Sequence, residues 1–103
     1  MLQSAAEQGY PEALFLLGAL YLYGEDAPEY RDPKLGVSYT REAARRGHRG
    51  AIENLAKCYE KGLGVRKSWR NARKLRALLK QKGGDPRAVV EALEGRTEDP
   101  MRL

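Results

Sequence analysis

A chain of 103 residues holds one domain with a single modest core, burying roughly two-thirds of the surface that the unfolded chain exposes. With 42% hydrophobic and 32% charged residues it has an ordinary globular composition, and no apolar run approaches the roughly 20 residues of a membrane span, so a soluble protein is expected. The net charge of +5 is segregated: residues 1–32 carry −5, residues 33–56 +3, residues 57–82 +9 and residues 83–103 −2. Such a layout speeds encounter with an oppositely charged partner and says nothing about fold. The start, Met1-Leu2-Gln3-Ser4-Ala5-Ala6-Glu7, lacks the basic and apolar regions of a secretion signal. One cysteine, Cys58, excludes an internal disulfide and favours the cytoplasm, with a periplasmic setting left open.

In chain order, Pro11 presets the start of a helix whose apolar run, Ala13 to Tyr23, is too long for a strand and stops at Gly24. Asp32-Pro33 opens a second helix that reaches about Arg46 and ends at Gly47. A third, Arg49 to Lys61, places Ile52, Leu55, Ala56 and Tyr59 at i, i+3, i+4 and i+7 and stops at Gly62. Ser68 caps a fourth helix running to Lys82 before Gly83, and Asp85-Pro86 begins a last one that ends near Gly95. Residues 1–95 thus form one domain, and residues 96–103 a flexible tail.

A shift of 38 residues lays Ala5-Ala6-Glu7-Gln8-Gly9 on Ala43-Ala44-Arg45-Arg46-Gly47, Ala13 on Ala51, Leu17 on Leu55, Gly18 on Ala56, Tyr21 on Tyr59 and Gly24 on Gly62. A period in this range marks stacked helical hairpins, and a weaker third copy starts at Leu79 to Gly83, so the chain holds about two and a half units and starts in mid-repeat. Gly18, Ala43, Ala44 and Ala56 let backbones approach, while Leu17, Leu55, Tyr21 and Tyr59 fill the space between hairpins. Cys58, at the position of Leu20, reads as core.

These residues resemble the Sel-one-like repeat, a relative of the tetratricopeptide repeat, with the pattern Ala-Ala-x-x-Gly-x-x-x-Ala-x-x-x-Leu-Gly-x-x-Tyr-x-x-Gly-x-Gly-Val. Ala5, Ala6, Gly9, Ala13, Leu17, Gly18, Tyr21 and Gly24 match in the first copy; Ala43, Ala44, Gly47, Ala51, Leu55, Tyr59, Gly62, Gly64 and Val65 match in the second. Asp32 suits the acidic opening position of the outer helix, and Tyr39 and Leu75 its large-residue position. The segment Gly24 to Asp32 departs, with two extra residues and no Gly-Val. The resemblance implies an all-α, right-handed αα-hairpin solenoid of five to six helices. It also implies a role, common in bacterial scaffolds and adaptors, in binding another protein on the concave face of the first helices.

By the same resemblance that face presents Glu12, Phe15, Ala19, Leu22 and Tyr23 from the first unit and Glu53, Asn54, Lys57, Glu60 and Lys61 from the second, an apolar end beside a charged end. The apolar residues equally suit self-association through the N-terminal end. Between Lys57 and Lys82 a basic stretch includes Arg66, Lys67, Arg70, Arg73, Lys74 and Lys80, with Arg66, Arg70, Arg73 and Lys80 on one helical face and Trp69 at its start. That face suits phosphates or an acidic protein surface, or is simply solvated; nucleic acid is the second choice of partner, and a membrane is none. His48 stands alone in a loop, Gly62-Leu63-Gly64-Val65 lacks the strand and Lys-Ser/Thr of a phosphate loop, and no nucleophile or carboxylate pair converges. The expectation is a non-catalytic interaction module without cofactor or metal; an effector, immunity or inhibitor protein blocking one target is the other alternative.

Overall fold

The protein, seen in a computed structural model, is described over residues 10–24, 27–81 and 83–97, with side chains as far as Leu93. Five helices follow in order: α1, Pro11–Tyr23; α2, Pro33–Arg45; α3, Arg49–Lys61; α4, Trp69–Lys80; and α5, Pro86–Thr97, with a 3₁₀ turn at Pro28–Tyr30 between α1 and α2. All regular structure among the described residues is helical. Three predicted caps form: the side chains of Asp32, Ser68 and Asp85 accept from the amides of Leu35 (3.3 Å), Asn71 (3.1 Å) and Ala88 (3.3 Å). Each satisfies an amide that the first turn leaves without a partner. Gly24 (φ 45°) and Gly62 (φ 71°) end the first helix of each hairpin in the left-handed conformation that side chains disfavour. Three boundaries differ from expectation: α2 and α4 stop at Arg45 and Lys80, and α5 passes through Gly95 to Thr97. Gly9, the Ala5-Ala6 element and residues 98–103 lie outside the described residues.

α1 and α2 form the first hairpin and α3 and α4 the second, with α3 seated against α2. Ala43, Ala44, Ala51, Ala56, Leu55, Tyr59 and Leu75 are fully enclosed, so alanines bring backbones together around a Leu and Tyr filling. Tyr59 fills the core as expected, whereas Tyr21 is half-buried and stacks on Tyr39 of its own hairpin, ring centroids 5.7 Å apart and planes at 12°. The loop after α3 runs over the start of α2: Gly64 (φ 74°) lies on the Pro33 carbonyl and Val37, where a side chain would not fit.

α5 does not extend the row of α1 and α3. It packs on α2 and α4, burying Val90 and Leu93, and Glu91 meets Arg45 at 2.8 Å. The buried side chains of α5 find their partner surface on the two outer helices. The face of α1 and α3 is left clear of α5.

Candidate partner-binding face

α1 and α3 stand side by side, joined most closely at the start of α1. At its start, Phe15 stacks on His48 (centroids 4.3 Å apart, planes at 20°), and Gly50 makes room, since a methyl there would sit 3.1 Å from the Phe15 ring. His48 is not a free loop residue: it caps α3, Nδ1 accepting from the Ala51 amide at 3.1 Å, and its Nε2 is 2.7 Å from Glu12 Oε1. A ring that accepts at Nδ1 carries its proton on Nε2, so the neutral tautomer donates to Glu12 and satisfies both contacts. At the other end of α1, Tyr23 lies beside Cys58. Burial and that neighbour raise the Tyr23 pKa, while burial pushes the Cys58 thiol up to about 11, keeping it protonated and inert.

The expected site residues divide. Ala19 and Tyr23 are half-buried on the open side of α1 and Glu12 is exposed there. On α3, Glu53 and Lys61 are exposed, Asn54 and Lys57 half-buried, with Lys57 Nζ 4.0 Å from Glu53. Leu22 does not belong: it is 2% exposed and faces α2, where its backbone and side chain lie against Gly36. Its counterpart Glu60 also turns toward its own outer helix, where the Arg76 guanidinium donates to it at 2.7 and 3.0 Å. That pairing lowers the Glu60 pKa and raises that of Arg76. Both residues sit on the flank of their helix next to the outer helix, two residues before the C-terminal glycine.

Sequence reasoning missed Leu16, which is 44% exposed, and the half-buried Leu20 beside it. The signal was present: from Pro11 to Tyr23 the single charged residue is Glu12, so a helix with one buried flank had to show apolar side chains outward. Their equivalents on α3 are the half-buried Asn54 and the buried Cys58.

The basic residues Arg66, Lys67, Arg70, Arg73, Lys74 and Lys80 are all exposed. α4 starts at Trp69, so Arg66 and Lys67 belong to the segment entering the helix and not to its face. Lys67 Nζ stands 5.7 Å from the centre of the Trp69 ring, which is 60% exposed. A recess of about 350 Å³ opens among the end of α2, the start of α3 and the end of α4, away from the α1 and α3 face; Arg49, in its lining, donates to the Leu79 carbonyl at 2.5 Å. Among the described residues no three His, Cys, Asp or Glu side chains converge, and no helix is long and apolar enough to cross a membrane.

The chain matches the Sel1 repeat over residues 1–10, 11–48 and 50–75, so each full repeat opens at the start of α1 or α3. No curated protein matches, and no solved structure does. Repeats of this family generally mediate protein–protein interaction and are typically non-catalytic. With hairpins of this form, the Ala, Leu, Tyr and Gly positions in register and the match across most of its length, the chain belongs to the Sel1 repeat family.

Proposed function

We propose that the chain is a non-catalytic adaptor that holds a helix or peptide of another protein against the face of α1 and α3. The observation that carries the reading is the exposed apolar side of α1, where Leu16, Ala19, Leu20 and Tyr23 remain accessible on a helix with one charged residue. At the equivalent positions of α3, Asn54 is half-buried and Cys58 is buried beside Tyr23. A partner segment laid along the open side of α1 takes Leu16 and Tyr23 as anchors, with Phe15 backing them from its stack on His48 and Lys57 and Lys61 selecting acidic groups at the charged end. The charge contrast between the two helices gives the bound segment a direction. Glu12 stays paired to His48 and takes a supporting part.

Affinity capture with the natural chain and with a Leu16→Lys/Tyr23→Ala variant tests the proposal, because Leu16 is exposed and Tyr23 only half-buried, so the fold survives their loss. Partners of the natural chain are lost from the variant. Retention of every partner at full affinity assigns binding elsewhere. A natural chain that sediments as a dimer, beside a monomeric variant, gives the face to a second copy.

A further inference from the structure

The exposed side of α4 is a charge arrangement that folding does not account for. From Lys57 to Lys82 the one acidic residue is Glu60, and it is engaged by Arg76 on the flank of α4. Arg66, Lys67, Arg70, Arg73, Lys74 and Lys80 make no ion pair among the described residues. Arg70 faces Arg73 and Lys74 one turn on, and like charges at that spacing weaken a helix. Arg70 also lies in the first turn, which holds no acid, at the end of the helix whose dipole disfavours a cation. A face kept for solubility mixes signs and avoids this cost. Trp69 stands at the head of the same face, 60% exposed with Lys67 at its edge.

We propose that this face binds single-stranded nucleic acid, the cations holding consecutive phosphates and Trp69 stacking one unpaired base. Arginines supply half of the six cations and grip phosphate oxygens in pairs. An unpaired base adds a stack on the indole that carboxylates do not supply, and a duplex offers no unpaired base to cover it. From Arg70 to Lys80 the face extends about 15 Å at the helical rise, room for a short run of nucleotides. One aromatic ring gives one stack and no reading of base edges, so binding is indifferent to sequence. The surface is separate from α1, and its failure leaves the adaptor reading standing.

Trp69 is the sole tryptophan, so intrinsic fluorescence reports the site directly. Titration of the full chain with twelve-nucleotide oligo-dT and oligo-U at low salt quenches it, and the affinity falls with salt at a log–log slope of about −3, as four phosphate contacts at about −0.7 each require. In anisotropy with a labelled oligonucleotide, Arg70→Glu/Arg73→Glu binds at least about tenfold more weakly and reduces the slope. Trp69→Ala loses about fivefold or more with the slope unchanged. The charge-reversed variant melts no lower than the natural chain, since it relieves repulsion, which separates lost binding from lost folding. No binding at low salt, a flat salt response, or equal affinity for polyglutamate of matched charge overturns the proposal, the last in favour of an acidic protein. Binding to phosphatidylserine vesicles in preference to both oligonucleotides overturns it in favour of a membrane surface.

Discussion

The two hairpins share their lengths, caps and core positions, yet their crossings are built by different means. In the first, Gly18 and Gly36 put α1 against α2, with Thr40 lying on Gly18 and the buried Leu22 on Gly36. In the second, Ala56 and Ala72 stand at the corresponding positions, and Glu60 and Arg76 replace Leu22 and Thr40 with a two-bonded ion pair. The same contrast continues outward, where α1 shows Leu16 and Tyr23 and α3 shows Glu53 and Lys61. A repeat thus fixes the positions where helices must touch, while chemistry at the crossing ends and on the open face is free to differ.

The largest expected effect tests what the hairpins share. Leu55→Ala and Leu17→Ala both leave cavities, and each costs about 2–5 kcal/mol in urea unfolding. Leu55, fully buried in the helix that contacts both α2 and α4, loses more than Leu17 at the chain's first described helix. An equal or reversed order would mean that the first hairpin holds the fold alone. The glycines sharpen the contrast next. A methyl on Gly18 would sit 2.5 Å from Thr40 Oγ1, and one on Gly36 2.9 Å from the Leu22 amide nitrogen. Gly18→Ala and Gly36→Ala therefore cost about 1–3 kcal/mol through overpacking, against the gain of about 0.5–1 kcal/mol that the same exchange brings in an open helix. Ala56→Gly and Ala72→Gly cost about 1 kcal/mol each from helix propensity. Should Gly18→Ala raise the melting temperature, the close crossing of the first hairpin is not needed.

A smaller effect belongs to a feature the hairpins have in common. Asp32→Ala and Ser68→Ala each remove one cap bond, and each lowers stability by about 1 kcal/mol in thermal unfolding. Similar losses mark two equivalent outer helices; a loss at one site alone would break the equivalence.

Most of the fold was legible because its determinants are local and periodic. Asp32, Ser68 and Asp85 announce helix starts, Gly24 and Gly62 announce stops, and the 38-residue shift pairs the core positions. The place of α5 was not legible, since Val90 and Leu93 suit any apolar groove and nothing local in the sequence selects the α2 and α4 side. His48 was read as solitary because its partners Glu12 and Phe15 lie 36 and 33 residues away, beyond any local pattern. For the candidate face, the repeat pointed to α1 and α3, on which all the expected residues except Leu22 keep some exposure. Leu22 was misplaced because a helix without a polar stripe gives no sign of which flank meets the outer helix. Leu16 was overlooked for the same reason.

The ion pair at the second crossing gives the smallest effect and the one most specific to the difference between hairpins. Glu60 has its pKa lowered first by the Arg76 hydrogen bonds and then by the charges of Arg76, Lys61 and Lys57. A carboxylate with a depressed folded pKa contributes stability above the ordinary carboxylate range and loses it as pH falls through the folded value. Urea midpoints of the natural chain and of Glu60→Gln therefore differ at pH 7 and converge on acidification, and added salt narrows the gap at pH 7 because the pair is near solvent. Leu22→Gln, at the corresponding place in the first hairpin, destabilises at every pH, since it buries an amide against Gly36 and involves no proton. Parallel pH profiles for Glu60→Gln and the natural chain would mean that the second crossing is held by Ala56 and Ala72 alone, with the guanidinium and carboxylate adding nothing.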